Sequence, residues 1–167
     1  MSARFGKLPW LWISALVFVL DQVSKNIVLN NLPYFGRVTV IPGYFDWTHI
    51  YNTGAAFSFL SDESGWQRWL FALIAIGVSA MLVVWMKRLK AHETWLAVAL
   101  ALVLGGALGN LYDRMVLGHV VDFILVHWHD LYRFPAFNLA DSGITVGAVM
   151  LALDMFRSKK TGEPAHD

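Results

Sequence analysis

The chain has 167 residues, about one domain by length, and its 57% hydrophobic and 15% charged residues exclude a water-soluble globule. An average soluble domain carries about 25% charge, and the surface of so small a globule is too large a fraction of the whole to be solvated by fewer. A formal net charge of +1 excludes a nucleic-acid binder, which needs a basic face, and the lack of cysteine excludes a disulfide frame, a thiolate metal site and a thiol nucleophile.

In chain order, four segments are long and apolar enough to cross about 30 Å of hydrocarbon: roughly 8–29, 69–86, 94–112 and 137–156. The first starts like a signal peptide, with Arg4 and Lys7 ahead of an apolar run. It lacks a small-residue cleavage site and ends in Asp21-Gln22-Val23-Ser24-Lys25, so it reads as a retained helix. Between the first two spans, Arg37–Ile41 alternates polar and apolar residues up to the turn signal Pro42-Gly43. Phe45–Asn52 alternates again, as a half-buried strand does, and Asn52-Thr53-Gly54 makes a second turn. The stretch 34–60 therefore predicts a small antiparallel sheet, aromatic on one face. The stretch 113–137 reads as a loop on the same side, and the polar tail from Arg157 as disordered. The whole is expected to be one domain, an all-α membrane protein with four transmembrane helices and a small extracytoplasmic β-cradle.

Lys and Arg give the orientation. Segments 1–7, 87–93 and 157–167 hold eight cations, whereas 30–68 and 113–137 hold four over a longer stretch. The positive-inside rule then places both termini in the cytoplasm and the sheet outside. Asp141 stands about 15 residues, or ~23 Å of helix, above Phe156, which puts it shallow in the outer leaflet.

Charged groups inside spans are expensive, at least ~2.5–3.5 kcal/mol at a helix centre, yet three helices carry them at their outer ends. Asp21 and Lys25 lie four apart and can pair on one face. Asn110 and Asp113 share a stripe with Gly106, and Asp141 opens the last helix. Gly105 to Gly109 and Gly143 to Gly147 are both G-x-x-x-G, which lets helices 3 and 4 approach closely and brings Asp113 and Asp141 together. Each acid also has a structural reading. Asp21 with Lys25 reads as an ion pair, Asp113 beside Arg114 as a cap and salt bridge, and Asp141 as an N-terminal acid stabilised by the helix dipole. Asp122, between Val121 and Phe123, has no local partner. Asp122 and Asp141 together are what a water-activating pair needs, one ionised and one protonated.

Other chemistries fit less well. His119 and His127-Trp128-His129-Asp130 suggest a metal site, but His-Glu-x-x-His is absent and the histidines read as interfacial, so no metal ligand and no cofactor is expected. No Gly-x-Ser-x-Gly elbow is present. A transporter or scaffold binding a ligand at the polar cluster is the non-enzymatic reading, against which stands the lack of an inverted repeat of broken helices.

Five blocks in order resemble the lipoprotein signal peptidase (signal peptidase II) family of bacterial membrane aspartic peptidases. They are Asp21-Gln22-Val23-Ser24-Lys25, Asn52-Thr53-Gly54-Ala55-Ala56-Phe57-Ser58, Gly105 through Arg114, Val120-Val121-Asp122-Phe123-Ile124, and Phe137-Asn138-Leu139-Ala140-Asp141-Ser142. The resemblance implies an aspartic endopeptidase of the bacterial inner membrane that removes the signal peptide from prolipoproteins, cutting before a diacylglyceryl-modified cysteine. It implies catalysis by Asp122 and Asp141. Asn52, Gly54, Asn110, Arg114 and Asn138 would bind substrate or hold the acids, while Asp21, Lys25 and Asp113 would support the fold. It further implies membrane lipid as a partner, and inhibition by the cyclic lipopeptide globomycin.

Overall fold

The computed structural model describes residues 5–53, 66–129 and 131–161. Gly54, Asp130 and the block from Ala55 to Ser58 lie outside them. The described residues form four long helices and a four-stranded antiparallel sheet in the order β1-β2-β3-β4. The helices are α1 (Leu11–Asn31), α2 (Trp66–Arg88), α3 (Thr94–Val116) and α4 (Leu139–Thr161). The strands are β1 (Arg37–Ile41), β2 (Phe45–Asn52), β3 (Val120–Trp128) and β4 (Tyr132–Arg133). All four helices contain a stretch long and apolar enough to cross a membrane.

Local chemistry sets the boundaries. A 3₁₀ turn over Leu8–Trp10, with Pro9 in its first turn, leads into α1. This helix stops at Leu32, whose extended backbone is what the following Pro33 requires. Gly118, at φ +86°, stands just beyond the end of α3, where a left-handed residue closes a helix at no steric cost. Gly43, at φ +83°, follows Pro42 in the β1–β2 turn, and the Tyr44 N–H donates to the Ile41 carbonyl at 3.0 Å.

Close helix packing depends on glycine, with one correction to the expected faces. A methyl group added at Gly106 would sit 2.2 Å from the Ala140 carbonyl oxygen of α4, and one at Gly147 would sit 2.6 Å from that of Ala99 in α3. At Gly105 it would instead strike Ser14 of α1, at 2.7 Å. The α3 glycines therefore serve two partners, with Gly106 rather than Gly105 against α4. This packs α3 closely against α1 and α4 along much of its length.

The sheet differs from its sequence reading in one way. The stretch expected as a loop contains the nine-residue β3, whose Val120 to Phe123 are all buried. These first four residues are buried on both faces and show no alternation to recognise. In β2, moreover, the polar side is the covered one: Asp46 and Thr48 are buried and Trp47 is exposed. Arg37 and His127 reach Asp46 from the neighbouring strands, His127 at 3.0 Å, so an ionic cluster pins three strands together. Of the aromatic residues of β2 only Trp47 is exposed, while Phe45 and Tyr51 are half-buried and His49 is buried.

Candidate active site

The sheet ends of α1, α3 and α4 carry two connected polar groups. The first is built around Lys25. Its ammonium lies 2.7 Å from Asp21 Oδ2 and 2.8 Å from Asp113 Oδ2, with all three side chains fully buried. The remaining acceptors are matched. Asp21 Oδ1 accepts the Ala140 N–H at 2.9 Å, capping the start of α4 from a different helix. Asp113 Oδ2 accepts the Val121 N–H at 3.1 Å, tying α3 to β3. Gln22 donates to both acids and to the Gly109 carbonyl. This glutamine lies inside the first quoted block and received no role from the sequence. A carboxamide one residue from a buried acid was the available signal.

The second group holds Asp122 and Asp141. Asn138 is the N-cap of α4, and its Oδ1 accepts the Asp141 N–H at 2.9 Å, while Asp141 Oδ2 accepts the Asn138 N–H at 3.3 Å. This reciprocal pair is a capping box with Asn and Asp in the two positions. The Asn138 carboxamide nitrogen donates to Asp122 Oδ1 at 2.7 Å. A single side chain thus fixes both acids. Asp122 Oδ2 accepts from Asn52 at 3.0 Å, and Asp141 Oδ1 from Asn110 at 2.7 Å.

Asn110 joins the groups. Its Oδ1 accepts from Lys25 at 3.1 Å and from Asn138 at 3.2 Å, while its nitrogen serves Asp141. Arg114 donates to the Asn110 carbonyl at 3.2 Å and lies over the Phe71 ring. Asp113 is thus not paired with Arg114, as its neighbour in sequence suggested, but with Lys25 one helix away. His127, expected at the membrane interface, is buried in β3 against Asp46, and His129 is exposed at a left-handed backbone position, φ 46°.

Among the described residues, neither Asp122 nor Asp141 meets a cation at ion-pair distance. Both rest on neutral amides. Asp122 is 2% exposed, and burial, reinforced by the nearby Asp141 charge, pushes its carboxyl up to about 7 against the hydrogen bonds from Asn52 and Asn138. Asp141 is only partly covered. A buried acid able to keep a proton, held beside a more accessible acid at a helix N-terminus, is the arrangement of an aspartic dyad acting on one water.

The family described as Signal peptidase (SPase) II matches residues 13–157. The chain belongs to the signal peptidase II family. A lipoprotein signal peptidase of Pseudomonas paraeruginosa is 78% identical over 163 residues, 98% of this chain and 96% of its own length. One from Pseudomonas aeruginosa is 77% identical over the same shares. A bacterial membrane enzyme solved by the in meso method at 2.3 Å matches with a TM-score of 0.81 at 29% identity, covering 100% of this chain and 99% of that one.

Proposed function

We propose that Asp122 and Asp141 are the catalytic acids with which this membrane peptidase removes the signal peptide from prolipoproteins. The observation that carries the assignment is the shared Asn138: it bonds both carboxyl groups, and among the described residues no cation lies within ion-pair distance of either. In the reading that burial favours, Asp141 is ionised and takes a proton from a water between the acids. The hydroxide oxygen attacks the carbonyl carbon before the lipid-modified cysteine, while Asp122 donates its proton to the carbonyl oxygen. Collapse of the tetrahedral species breaks the C–N bond, and the amine leaves with a proton from the dyad. The products are a signal peptide ending in a carboxylate and a lipid-cysteine with a free α-amine. Asn52, Asn110 and Asn138 hold the acids, and Arg114 and Gly54 are assigned to the substrate backbone. Asp21, Lys25 and Asp113 hold the helix ends in place, and globomycin would compete at the same acids.

The reading further places both termini in the cytoplasm and the acids at the outer leaflet, supported by the eight-to-four cation bias. Cysteines introduced at Ser61 and Ser158 should react with an impermeant thiol reagent in intact cells at Ser61 only. Labelling at Ser158 alone would invert the topology.

The catalytic assignment is tested on purified, folded protein with a diacylglyceryl-modified prolipoprotein. Positioned proton transfer contributes about 10²–10⁴-fold, so Asp122→Asn and Asp141→Asn should each lose at least that much while still binding substrate. Substantial cleavage by either folded variant would remove the dyad.

A further inference from the structure

At the end of the bundle away from the acids, α2 and the turn into α3 enclose a hollow of about 390 Å³. Its wall changes character along the helix axis. Met81, Val84, Trp85 and Arg88 are spaced i, i+3, i+4 and i+7 and so form one stripe on α2. Met81 and Val84 are exposed, and in a bilayer that part of the stripe meets hydrocarbon. Arg88 ends the helix about 10 Å further along, and Lys90 and Glu93 complete the rim from the turn. Local bonds fix that rim. The Lys7 N–H donates to the Met86 carbonyl at 2.9 Å and the Lys7 ammonium donates to Thr94 Oγ1 at 2.8 Å, which ties the end of α2 to the start of α3. Glu93 is buried and accepts the Lys90 N–H inside the turn. Arg88 and Lys90 are exposed, and neither meets an acid at ion-pair distance among the described residues.

We propose that this hollow binds one anionic phospholipid of the bilayer, with its phosphate between Arg88 and Lys90 and its acyl chains along Val84 and Met81. The cation bias puts this end in the inner leaflet, and the site itself is independent of the peptidase reading. Cations at a helix C-terminus complement the helix dipole in any case, which accounts for Lys87 and Arg88 alike. The hollow separates the two, because Arg88 lines it and Lys87 does not. The two-part wall then selects the occupant. A soluble anion would use the cations and leave the apolar stripe idle. A zwitterionic headgroup would bring its own ammonium against Arg88 and Lys90, and Glu93, the one acid on the rim, is already bonded within the turn. An anionic phospholipid satisfies both parts, as at other basic pockets on the cytoplasmic side of membrane helices. Trp85 lies one turn before Arg88, at the headgroup level that amphipathic rings prefer.

The test uses the full-length protein, stripped of lipid in detergent and offered phosphatidylglycerol and phosphatidylcholine with the same acyl chains, with native mass spectrometry counting the lipid retained. Wild type should keep one phosphatidylglycerol in preference to phosphatidylcholine. Arg88→Gln combined with Lys90→Gln should weaken that retention by about fivefold for each cation lost. Lys87→Gln removes the same charge one residue away, outside the hollow, and should bind as wild type does. Val84→Trp fills the apolar part at an exposed position and should lose the lipid with every charge intact. All these positions are exposed, so each variant should unfold at the wild-type temperature in lipid-free detergent, and the charge and filling variants reach the site independently. Equal retention of the two lipids by wild type would overturn the anionic site. A loss in Lys87→Gln matching that from Arg88→Gln alone would reduce it to diffuse attraction by a basic surface. Unchanged retention by Val84→Trp would remove the acyl wall. Inorganic phosphate binding as tightly as phosphatidylglycerol would make the hollow a soluble-anion site instead.

Discussion

At the sheet end of the bundle, Asp21 and Asp113 share a lysine, whereas Asp122 and Asp141 share an asparagine. The four acids belong to one hydrogen-bonded network through Asn110, yet their partners give them different capabilities. A carboxylate at 2.7–2.8 Å from a buried ammonium is fixed in place by it and serves as a strut. A carboxyl group held only by amides keeps its place in either protonation state, since N–H donors serve it whether or not it carries a proton. The first pair builds the frame, and the second is left chemically free inside it.

The harshest way to break this division is to remove the shared lysine. Lys25→Met leaves two buried carboxylates without their cation, and breaking a buried ion pair in this way costs about 3–5 kcal/mol. The start of α4 would suffer as well, because Asp21 caps Ala140. Thermal denaturation in detergent should show a large loss of stability, with activity lost alongside it. A Lys25→Met protein as stable as wild type would mean that the triad is not a strut.

A finer test separates holding the helix from holding the acids. Asn138 does both, through Oδ1 to the Asp141 N–H and through its nitrogen to Asp122. Serine is as good an N-cap as asparagine but lacks the amide donor. Asn138→Ser should therefore keep most of its stability while kcat falls by about 10²-fold and KM changes little. Equal damage to stability and turnover would make Asn138 a structural residue only.

The contrast also explains what was legible beforehand. The four spans follow from apolar runs bounded by charge, and the pairing of Asp21 with Lys25 from their spacing of four. The apolar flanks of Asp122 singled it out, whereas Asn138 took its role from the family resemblance. The partner of Asp113 was illegible because it lies on another helix: Arg114 is adjacent in sequence, but consecutive helical residues point about 100° apart. β3 was missed because its first half is covered on both faces, and the Arg37–Asp46–His127 cluster because three strands must pair before it exists.

The gentlest test reads the difference between the pairs through pH. Burial raises the Asp122 carboxyl to about 7 from an ordinary 3.8, so between those values the folded chain holds a proton that the unfolded chain has released. Stability must then fall as pH rises through that window, and the penalty is complete above about 7. Asn at this position has no proton to exchange and escapes the penalty. Relative to wild type, Asp122→Asn should therefore gain thermal stability between pH 5 and pH 8.5, with the advantage levelling off at the upper end. Asp113→Asn, which strips an anion from Lys25, should be less stable than wild type at both values. Cleavage by the wild-type enzyme should decline as pH rises past about 7, because the form with Asp122 protonated is the one that can assist the carbonyl. A stability difference for Asp122→Asn that stays constant across this range would place Asp122 with the struts and return the proton-donor role to Asp141.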